Sequence, residues 1–194
     1  MKRSEINAAI AGARLAFERH HWHLPPRPRW DVTGFGLADF ERKGLVLINL
    51  ADLPEYCEKL MFARQNQLTP MHCHKKKQED IICRIGSLAI RVANRTVDWK
   101  IDRGGEPVKT LFNGEEWRIP CNTVVYLKAG DRITLYPGNY HEFWPVSDYA
   151  IIGEVSTAND DQGDNFFENP EVGRYEAIDE DEPSLENLLS DLKA

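Results

Sequence analysis

The sequence predicts a mainly β protein: an antiparallel, jelly-roll-like β-sandwich or barrel with an N-terminal helix and a C-terminal helical extension. Between residues 61 and 156, short β-rich runs such as IICRIGSLAIRVAN and TVVYLKAG are separated by Gly-Gly, Asn-Gly and Pro-Gly turn signals, which is typical of sandwiches and barrels. Near the N-terminus, apolar residues recur at helical spacing instead. Neither a G-x-G-x-x-G nor a P-loop fingerprint occurs, so a nucleotide-binding fold has no support.

The order of these signals divides the chain into three stretches of a single domain, which suits a length of 194 residues. Residues 1–60 are predicted to form a helical and extended segment that packs on the barrel. Residues 61–158 are predicted to form the barrel with the candidate metal site. Residues 159–194 are predicted to form an acidic C-terminal extension.

The two flanking stretches carry local signals of their own. Apolar residues at helical spacing predict a helix over 4–21, which the prolines from Pro25 onward stop. The run GLVLINL over 44–50 predicts a strand, and residues 52–60 predict a short helical turn. At the other end of the chain, SLENLLSDL over 184–192 predicts a short helix.

The formal net charge of −7 is distributed unevenly along the chain. Residues 160–194 hold twelve acidic and two basic residues, a net charge of −10, whereas residues 1–159 have a net charge of +3. The nearly neutral body argues against nucleic acid as a partner. The acidic segment is either a solvated tail or a cover over the body. Its apolar residues favour partial folding back onto the body.

The cysteines and the N-terminus indicate a cytoplasmic protein. Cys57, Cys73, Cys83 and Cys121 form no C-x-x-C pair and are predicted to be reduced thiols rather than a disulfide framework. The first residues lack the apolar core of a signal peptide, so secretion is not expected. No apolar run approaches the roughly 20 residues that span a bilayer, so no membrane partner is expected.

The candidate metal ligands are His72, His74, Glu79 and His141. In MHCHKKKQED, the two histidines stand two residues apart and so share one face of a strand, with Cys73 on the opposite face. Glu79 follows five residues after His74, and His141 comes far downstream, just after a Pro-Gly turn. Three neutral imidazoles and one carboxylate form a suitable ligand set for a divalent transition metal ion.

The spacing of these residues resembles the two sequence motifs of the cupin superfamily, small β-barrels that hold a metal with two histidines and a glutamate from the first motif and a histidine from the second. The matching residues are His72, His74, Glu79 and Gly86 in the first motif and Gly130, Pro137, Gly138 and His141 in the second. The departures concern turns. Asn66 stands where the first motif has Gly, the second motif's Pro and Gly are contiguous, and Pro145 replaces its terminal Asn.

A closer resemblance covers most of the chain. The N-terminal helix, PMHCHKKKQEDIICR with its Lys77, the barrel and the stretch GEVSTANDDQGDNFF are similar to the D-lyxose isomerase family of cupin-type sugar isomerases. The resemblance implies Mn²⁺ at the four ligands, a homodimer, and reversible conversion of D-lyxose to D-xylulose through an enediol or enediolate. It also implies conversion of D-mannose to D-fructose as a side activity. The ligand set itself equally accepts Fe²⁺, Co²⁺ or Zn²⁺.

Isomerisation of this kind needs a group that moves a proton between C2 and C1, and the sequence offers two candidates. Lys77 is close to two ligands, where a metal and a partly dry barrel mouth would lower its pKa. Glu154 lies among apolar residues on a predicted strand, where an inward carboxylate without a function would be costly. The alternatives are a solvated lysine in a KKK run and an outward-facing glutamate. The candidate sugar contacts are Asp164, Glu171 and Arg174 of the C-terminal segment, with Trp144 and Phe143 as pocket-lining aromatics beside His141.

Two other functions fit the same ligands. A cupin dioxygenase would use Fe²⁺ and consume oxygen, whereas an isomerase consumes none. A sugar-binding or regulatory cupin would bind metal and sugar without turnover, although the sequence contains no DNA-reading helix pair that would favour a regulator. The physiological sugar, the metal, the oligomer and the choice of general acid or base stay open at this point.

Overall fold

The structure, a computed structural model, describes residues 1–157, 159–161, 163–173 and 177–189. These residues contain one helix, α1 (Arg3–Arg19), and fourteen strands. The strands in chain order are β1 (Trp30–Thr33), β2 (Leu45–Asp52), β3 (Tyr56–Arg64), β4 (Thr69–Cys73), β5 (Glu79–Ile85), β6 (Ser87–Arg95), β7 (Ile101–Asp102), β8 (Val108–Phe112), β9 (Glu115–Ile119), β10 (Thr123–Lys128), β11 (Arg132–Leu135), β12 (Tyr140–Pro145), β13 (Tyr149–Thr157) and β14 (Phe166–Phe167).

The strands form two antiparallel sheets that pack face to face. The larger sheet has the order β1-β2-β3-β13-β5-β11-β8-β9, and the smaller has the order β10-β6-β12-β4-β14, with β7 paired to β6 outside that order. Alternate side chains of both sheets point inward and form the main core, which includes Leu88, Ile90 and Ile152. The predicted mainly β, cupin-like architecture with an N-terminal helix is therefore confirmed.

The larger sheet begins well before residue 61. Strands β1, β2 and β3 belong to it, so residues 30–60 contribute to the barrel as well as packing on it. The strand predicted over 44–50 is confirmed as part of β2. The helical turn predicted over 52–60 is wrong, because β3 begins at Tyr56 and pairs with β13 from Tyr56 to Arg64. Long-range pairing has overridden a weak local helical signal.

Helix α1 covers the outer face of the larger sheet. Its apolar stripe packs against β1–β3 and β13 and forms a second core; the buried residues of the stripe are Ile6, Ala9, Ile10, Ala13, Ala16 and Phe17. The helix predicted over 4–21 is thus confirmed, with ends at Arg3 and Arg19. Within the described ranges, no helix has both the length and the apolar character of a membrane span.

The acidic C-terminal segment folds back onto the body, as its apolar residues indicated. Phe166 and Phe167 add a short strand beside β4, and further along the segment Glu180 forms an ion pair with Arg3 of α1. The predicted helix is not formed over 184–188. The Trp30 backbone N–H donates to the carbonyl oxygen of Asn187, and Leu188 is buried in the second core, which α1 forms with the larger sheet. Residues 190–192 of that predicted helix lie outside the described residues.

Candidate active site

The four predicted ligands converge on one point inside the barrel, although they come from three elements. His72 lies on β4, directly opposite His141 on the neighbouring β12. His74 follows at the end of β4, and Glu79 begins β5 after a four-residue loop. One potential ligand atom from each residue lies within 4.8 Å of the others, and all four side chains are buried. We call these four residues the ligand cluster.

A main-chain carbonyl group fixes the orientation of each of the three imidazoles. The Nδ1 atoms of His72, His74 and His141 lie 2.7, 2.7 and 3.2 Å from the carbonyl oxygens of Pro70, Asp164 and Asn139. Because a carbonyl oxygen can only accept, each Nδ1 must carry the proton. This leaves Nε2 of each ring to face the other ligand atoms, which is the usual orientation of histidines that bind a metal.

The ligand cluster brings buried polar atoms together without hydrogen bonds between them, and this is the observation that fits a cation. The Oε1 atom of Glu79 lies 3.0 Å from Nε2 of His141 and 3.3 Å from Nε2 of His74. Among the described residues, none of these three buried atoms has a hydrogen-bond partner of acceptable geometry. Buried acceptors left in this state are costly, whereas a divalent cation bound between them would satisfy all three.

The protonation of the ligand cluster matches that requirement. Burial, followed by the neighbouring imidazoles of His141 and His74, lowers the pKa of His72 well below its ordinary value, so this imidazole is neutral. Burial also opposes ionisation of Glu79, but the Lys77 ammonium and the nearby imidazoles outweigh it and hold the pKa of Glu79 well below the usual range. A neutral His72 and an ionised Glu79 are the forms in which these side chains bind divalent transition ions.

Two turn residues show why the departures from the cupin motifs leave the site intact. Asn66, which stands where the motif has Gly, has a φ of +59°, and Asn is among the few non-glycine residues that adopt this left-handed conformation readily. Gly138 of the contiguous Pro-Gly turn has a φ of +89° and donates its N–H to the carbonyl of His74. The second turn is therefore joined directly to a ligand of the first motif.

Asp164 lies beside the ligand cluster and holds the loop between His74 and Glu79. Its carboxylate accepts the backbone N–H groups of Lys75, Lys76 and Lys77 at 2.9–3.2 Å. Burial opposes ionisation, but these three N–H donors prevail and lower the pKa of Asp164 below its ordinary value. The side chain therefore stabilises the ligand loop.

Both acid/base candidates lie inside the site. The Lys77 ammonium donates to Oε1 of Glu154 at 2.9 Å and lies 2.8 Å from Oε2 of Glu79; Lys77 and Glu154 are 4% and 6% exposed. The solvated lysine and the outward-facing glutamate are therefore ruled out. Burial would lower the pKa of Lys77, as the sequence predicted, but the carboxylates of Glu154 and Glu79 outweigh burial and raise that pKa.

A cavity opens in front of these groups. One side is apolar and includes Phe35, Leu47 and Phe143, so the prediction that Phe143 lines the pocket is confirmed. The lining also contains four charged residues outside the ligand cluster, which we call the charged wall: Lys59, Lys77, Glu154 and Asp161. A cavity with one apolar side and several polar groups is suited to a small polyhydroxylated molecule.

Two of the predicted sugar contacts, Trp144 and Glu171, do not line the cavity. The two-residue alternation of β12 turns Trp144 to the face opposite His141 and Phe143, where the Arg91 guanidinium lies 5.6 Å from the centre of its indole. Trp144 therefore does not line the cavity. Glu171 is exposed and is also absent from the lining. Arg174 lies outside the described residues.

Sequence reasoning missed three residues that line the cavity: Lys59, Asp161 and Asn165. Lys59 had a detectable signal, since it alternates on β3 with Met61, an inward-facing core residue. Asp161 and Asn165 stand in the acidic C-terminal stretch, where no local sequence pattern separates them from their neighbours.

The two-sheet barrel and its buried cluster of three histidines and one glutamate define a cupin-like protein with a candidate metal site, and comparison with solved structures supports the fold. L-ribose isomerase from Cellulomonas parahominis superposes with a TM-score of 0.69 over 92% of this chain and 98% of that chain, at 18% sequence identity. At that identity the likeness is one of fold.

The chain belongs to the D-lyxose isomerase family, whose model matches residues 27–192. It is 35% identical to a D-lyxose/D-mannose isomerase from Escherichia coli O157:H7, with 95% of each chain covered. It is 34% identical to one from Serratia proteamaculans, with 94% of each covered. The protein is therefore an aldose–ketose isomerase, the first of the three functions that the sequence left open.

Proposed function

We propose that the protein interconverts D-lyxose and D-xylulose, with D-mannose and D-fructose as a second pair, and that it uses a divalent ion, Mn²⁺, held by His72, His74, Glu79 and His141. The observation that carries the proposal is the buried ligand cluster, whose facing atoms have no hydrogen-bond partner among the described residues and which lies next to the paired Lys77 and Glu154 in one cavity. The family membership and the names of the relatives support the choice of sugars.

When bound, the ion would act as a Lewis acid that polarises the sugar carbonyl and acidifies the hydrogen on C2. The residues of the chain supply the rest. The ligand cluster lines the cavity in which the open-chain sugar is placed, and the ionised Glu79 attracts a cation. The apolar side reduces the access of water to the reacting carbons.

Proton transfer is assigned to Glu154 and Lys77. The Glu154 carboxylate removes the proton from C2 and returns it to C1, so that the sugar passes through an enediol or enediolate. Over the same interval, the Lys77 ammonium, which lines the same cavity, gives one proton to O1 and takes up one proton from the O2 hydroxyl. The proton removed equals the proton returned, so the enzyme ends each cycle unchanged.

The sugar hydroxyls need polar partners, and Asp161 and Asn165 are proposed as these contacts because they line the cavity. Asp164 is assigned to the ligand loop rather than to the sugar, since its carboxylate accepts three backbone N–H groups. Glu171 and Trp144 receive no sugar contact in this proposal. Arg174 stays a prediction.

The decisive experiment measures turnover and metal together. Purified protein loaded with Mn²⁺ is incubated with a panel of aldoses, and ketose formation, oxygen uptake and bound metal are determined on one preparation. The expected result is conversion of D-lyxose, slower conversion of D-mannose, and no oxygen uptake. Failure to form any ketose from D-lyxose would contradict the proposed substrate, and full activity with Zn²⁺ but not Mn²⁺ would contradict the proposed metal.

Two further features complete the proposal. A homodimer is supported by strands β9 and β10, each of which ends its sheet among the described residues and leaves backbone groups available for pairing; sedimentation at several protein concentrations tests it. A cytoplasmic location is supported by the four free cysteines, which suit a reducing compartment. Fractionation of cells that produce the protein tests the location.

A further inference from the structure

Lys59 is a buried ammonium that the proposed reaction does not use. It lies on β3 in register with Glu154 on the neighbouring β13, so the two side chains are cross-strand neighbours on the same face. Lys59 is 4% exposed. A lysine this deeply buried requires partners for its charge, since an unpaired buried ammonium is very costly.

Three acceptors surround the Lys59 ammonium. It donates hydrogen bonds to Oδ1 of Asn159 at 3.0 Å and to Oδ1 of Asp161 at 3.1 Å, and it forms an ion pair with Oε1 of Glu154 at 3.3 Å. An ammonium has three donors. With all three directed at protein atoms, Lys59 is better placed to hold its neighbours than to bind a sugar hydroxyl.

Glu154 depends on this second cation because its first is shared. Lys77 lies between Glu154 and Glu79, at 2.9 and 2.8 Å, so its charge also compensates a metal ligand. Burial opposes ionisation of Glu154, and the charges of Lys59 and Lys77, in that order, outweigh burial and lower its pKa. Oε1 of Glu154 receives both ammonium groups, which fixes the carboxylate from two sides.

We propose that Lys59 is a positioning residue for isomerisation: it holds the Glu154 carboxylate in the orientation for proton transfer and links that orientation to Asn159 and Asp161 of the C-terminal segment. The inference rests on the proposed role of Glu154. It assigns the start of the acidic segment a function in catalysis, since two residues of that segment fix the ammonium that fixes the base.

The test uses Lys59→Met, which keeps the length and burial of the side chain but removes the charge. The expected result is a fall in kcat of about 100-fold with KM within about 3-fold, as for a misplaced catalytic group. Lys59→Arg, which keeps the charge, should have a kcat at least about 10-fold higher than that of Lys59→Met. The exposed Lys109→Met is the matched control and leaves kcat unchanged.

A double-mutant cycle with Glu154→Gln separates positioning from a merely structural role. If Lys59 acts through Glu154, Lys59→Met lowers kcat by less than about 3-fold in the Glu154→Gln background. Long incubations make the slow variants measurable. Bound metal and the midpoint of thermal unfolding are recorded for each variant. If Lys59→Met does not fold, Asp161→Asn carries the test, with an expected fall in kcat of about 10-fold.

The outcomes are distinguishable. A 100-fold loss that persists in the Glu154→Gln background, a raised KM at constant kcat, or unchanged kcat in both Lys59→Met and Asp161→Asn would overturn the inference while leaving the role of Glu154 standing. Wild-type turnover in Glu154→Gln would instead contradict the proposed function.

Discussion

The ligand cluster and the charged wall line one cavity and meet where Lys77 lies 2.8 Å from Glu79, but they are assembled in different ways. Three of the four ligands fall within residues 72–79, and backbone carbonyls hold all three imidazoles. The charged wall draws Lys59 from β3, Glu154 from β13 and Asp161 from the C-terminal segment, and side-chain charges hold one another. The backbone orients the ligand cluster, whereas ion pairs orient the charged wall. Substitutions in these two halves of the site should therefore have different effects.

The largest expected effect tests the ligand cluster. His141→Ala removes one of four ligands, and we expect the affinity for the metal to fall by at least ~100-fold and turnover to be lost with it, because direct ligands matter more than their outer partners. Metal analysis after dialysis, together with the D-lyxose assay, measures both.

The matched control is His20→Ala, since the imidazole of His20 lies outside the site and hydrogen-bonds to the Tyr149 hydroxyl. This variant should keep its metal and its activity. Full turnover in metal-free His141→Ala would contradict this prediction, because the charged wall would then catalyse the reaction without the ligand cluster.

The sequence revealed the ligand cluster because its geometry is local. Two residues apart on a strand means the same face, so the orientation of His72 relative to His74 follows from the spacing. The same rule, applied to β12, places Phe143 on the side of His141 and Trp144 on the opposite side. The alternation of β12 alone therefore predicts that Trp144 points away from the cavity, in contrast to the pocket-lining position expected from its proximity to His141 in the sequence.

The charged wall could not be predicted in the same way, because it depends on which strands pair. Lys59 meets Glu154 only through the register of β3 against β13, and the residues lie 95 positions apart in the sequence. Asp164 illustrates a different limit: a carboxylate that accepts three consecutive backbone N–H groups depends on a loop conformation, which its sequence does not encode as a pattern. The fold class was predictable because strand periodicity and turn residues are local.

An intermediate effect is expected where a side chain from the C-terminal segment supports the ligand cluster. Asp164→Asn replaces one acceptor oxygen with an amide group that cannot accept, so part of the backbone N–H set of residues 75–77 loses its partner. We expect the free energy of unfolding to fall by about 1.5–3 kcal/mol, the usual range for a hydrogen bond to a charged group. Urea unfolding of the metal-free protein measures this.

Asp148→Asn is the control for that substitution, because Asp148 is exposed; its stability should be unchanged. The comparison is sharpened by metal titration of both variants. Weaker metal binding in Asp164→Asn alone would show that the C-terminal segment supports both halves of the site, whereas unchanged stability would show that the ligand loop is held without this carboxylate.

The smallest expected effect concerns the far end of the same segment, where Glu180 and Asp181 meet the first turn of α1. Both oxygens of Glu180 accept from the Arg3 guanidinium at 2.6 and 2.7 Å. Asp181 accepts from the hydroxyl and the N–H of Ser4 at 2.7 and 2.9 Å. These hydrogen bonds lower the pKa of Glu180 below its ordinary 4.5 and that of Asp181 below its ordinary 3.8.

Because both pKa values are lowered by folding, the contact stabilises the structure fully above those ordinary values and is lost as the pH falls through the lower, folded values. Protection of the α1 amides against hydrogen exchange, corrected for the intrinsic pH dependence, should therefore decrease in acid while that of β6 does not. The Glu180→Gln, Asp181→Asn double variant should lose this pH dependence. The effect is small because exposed ion pairs contribute little, and a decrease of equal size in the double variant would assign the acid sensitivity to another group.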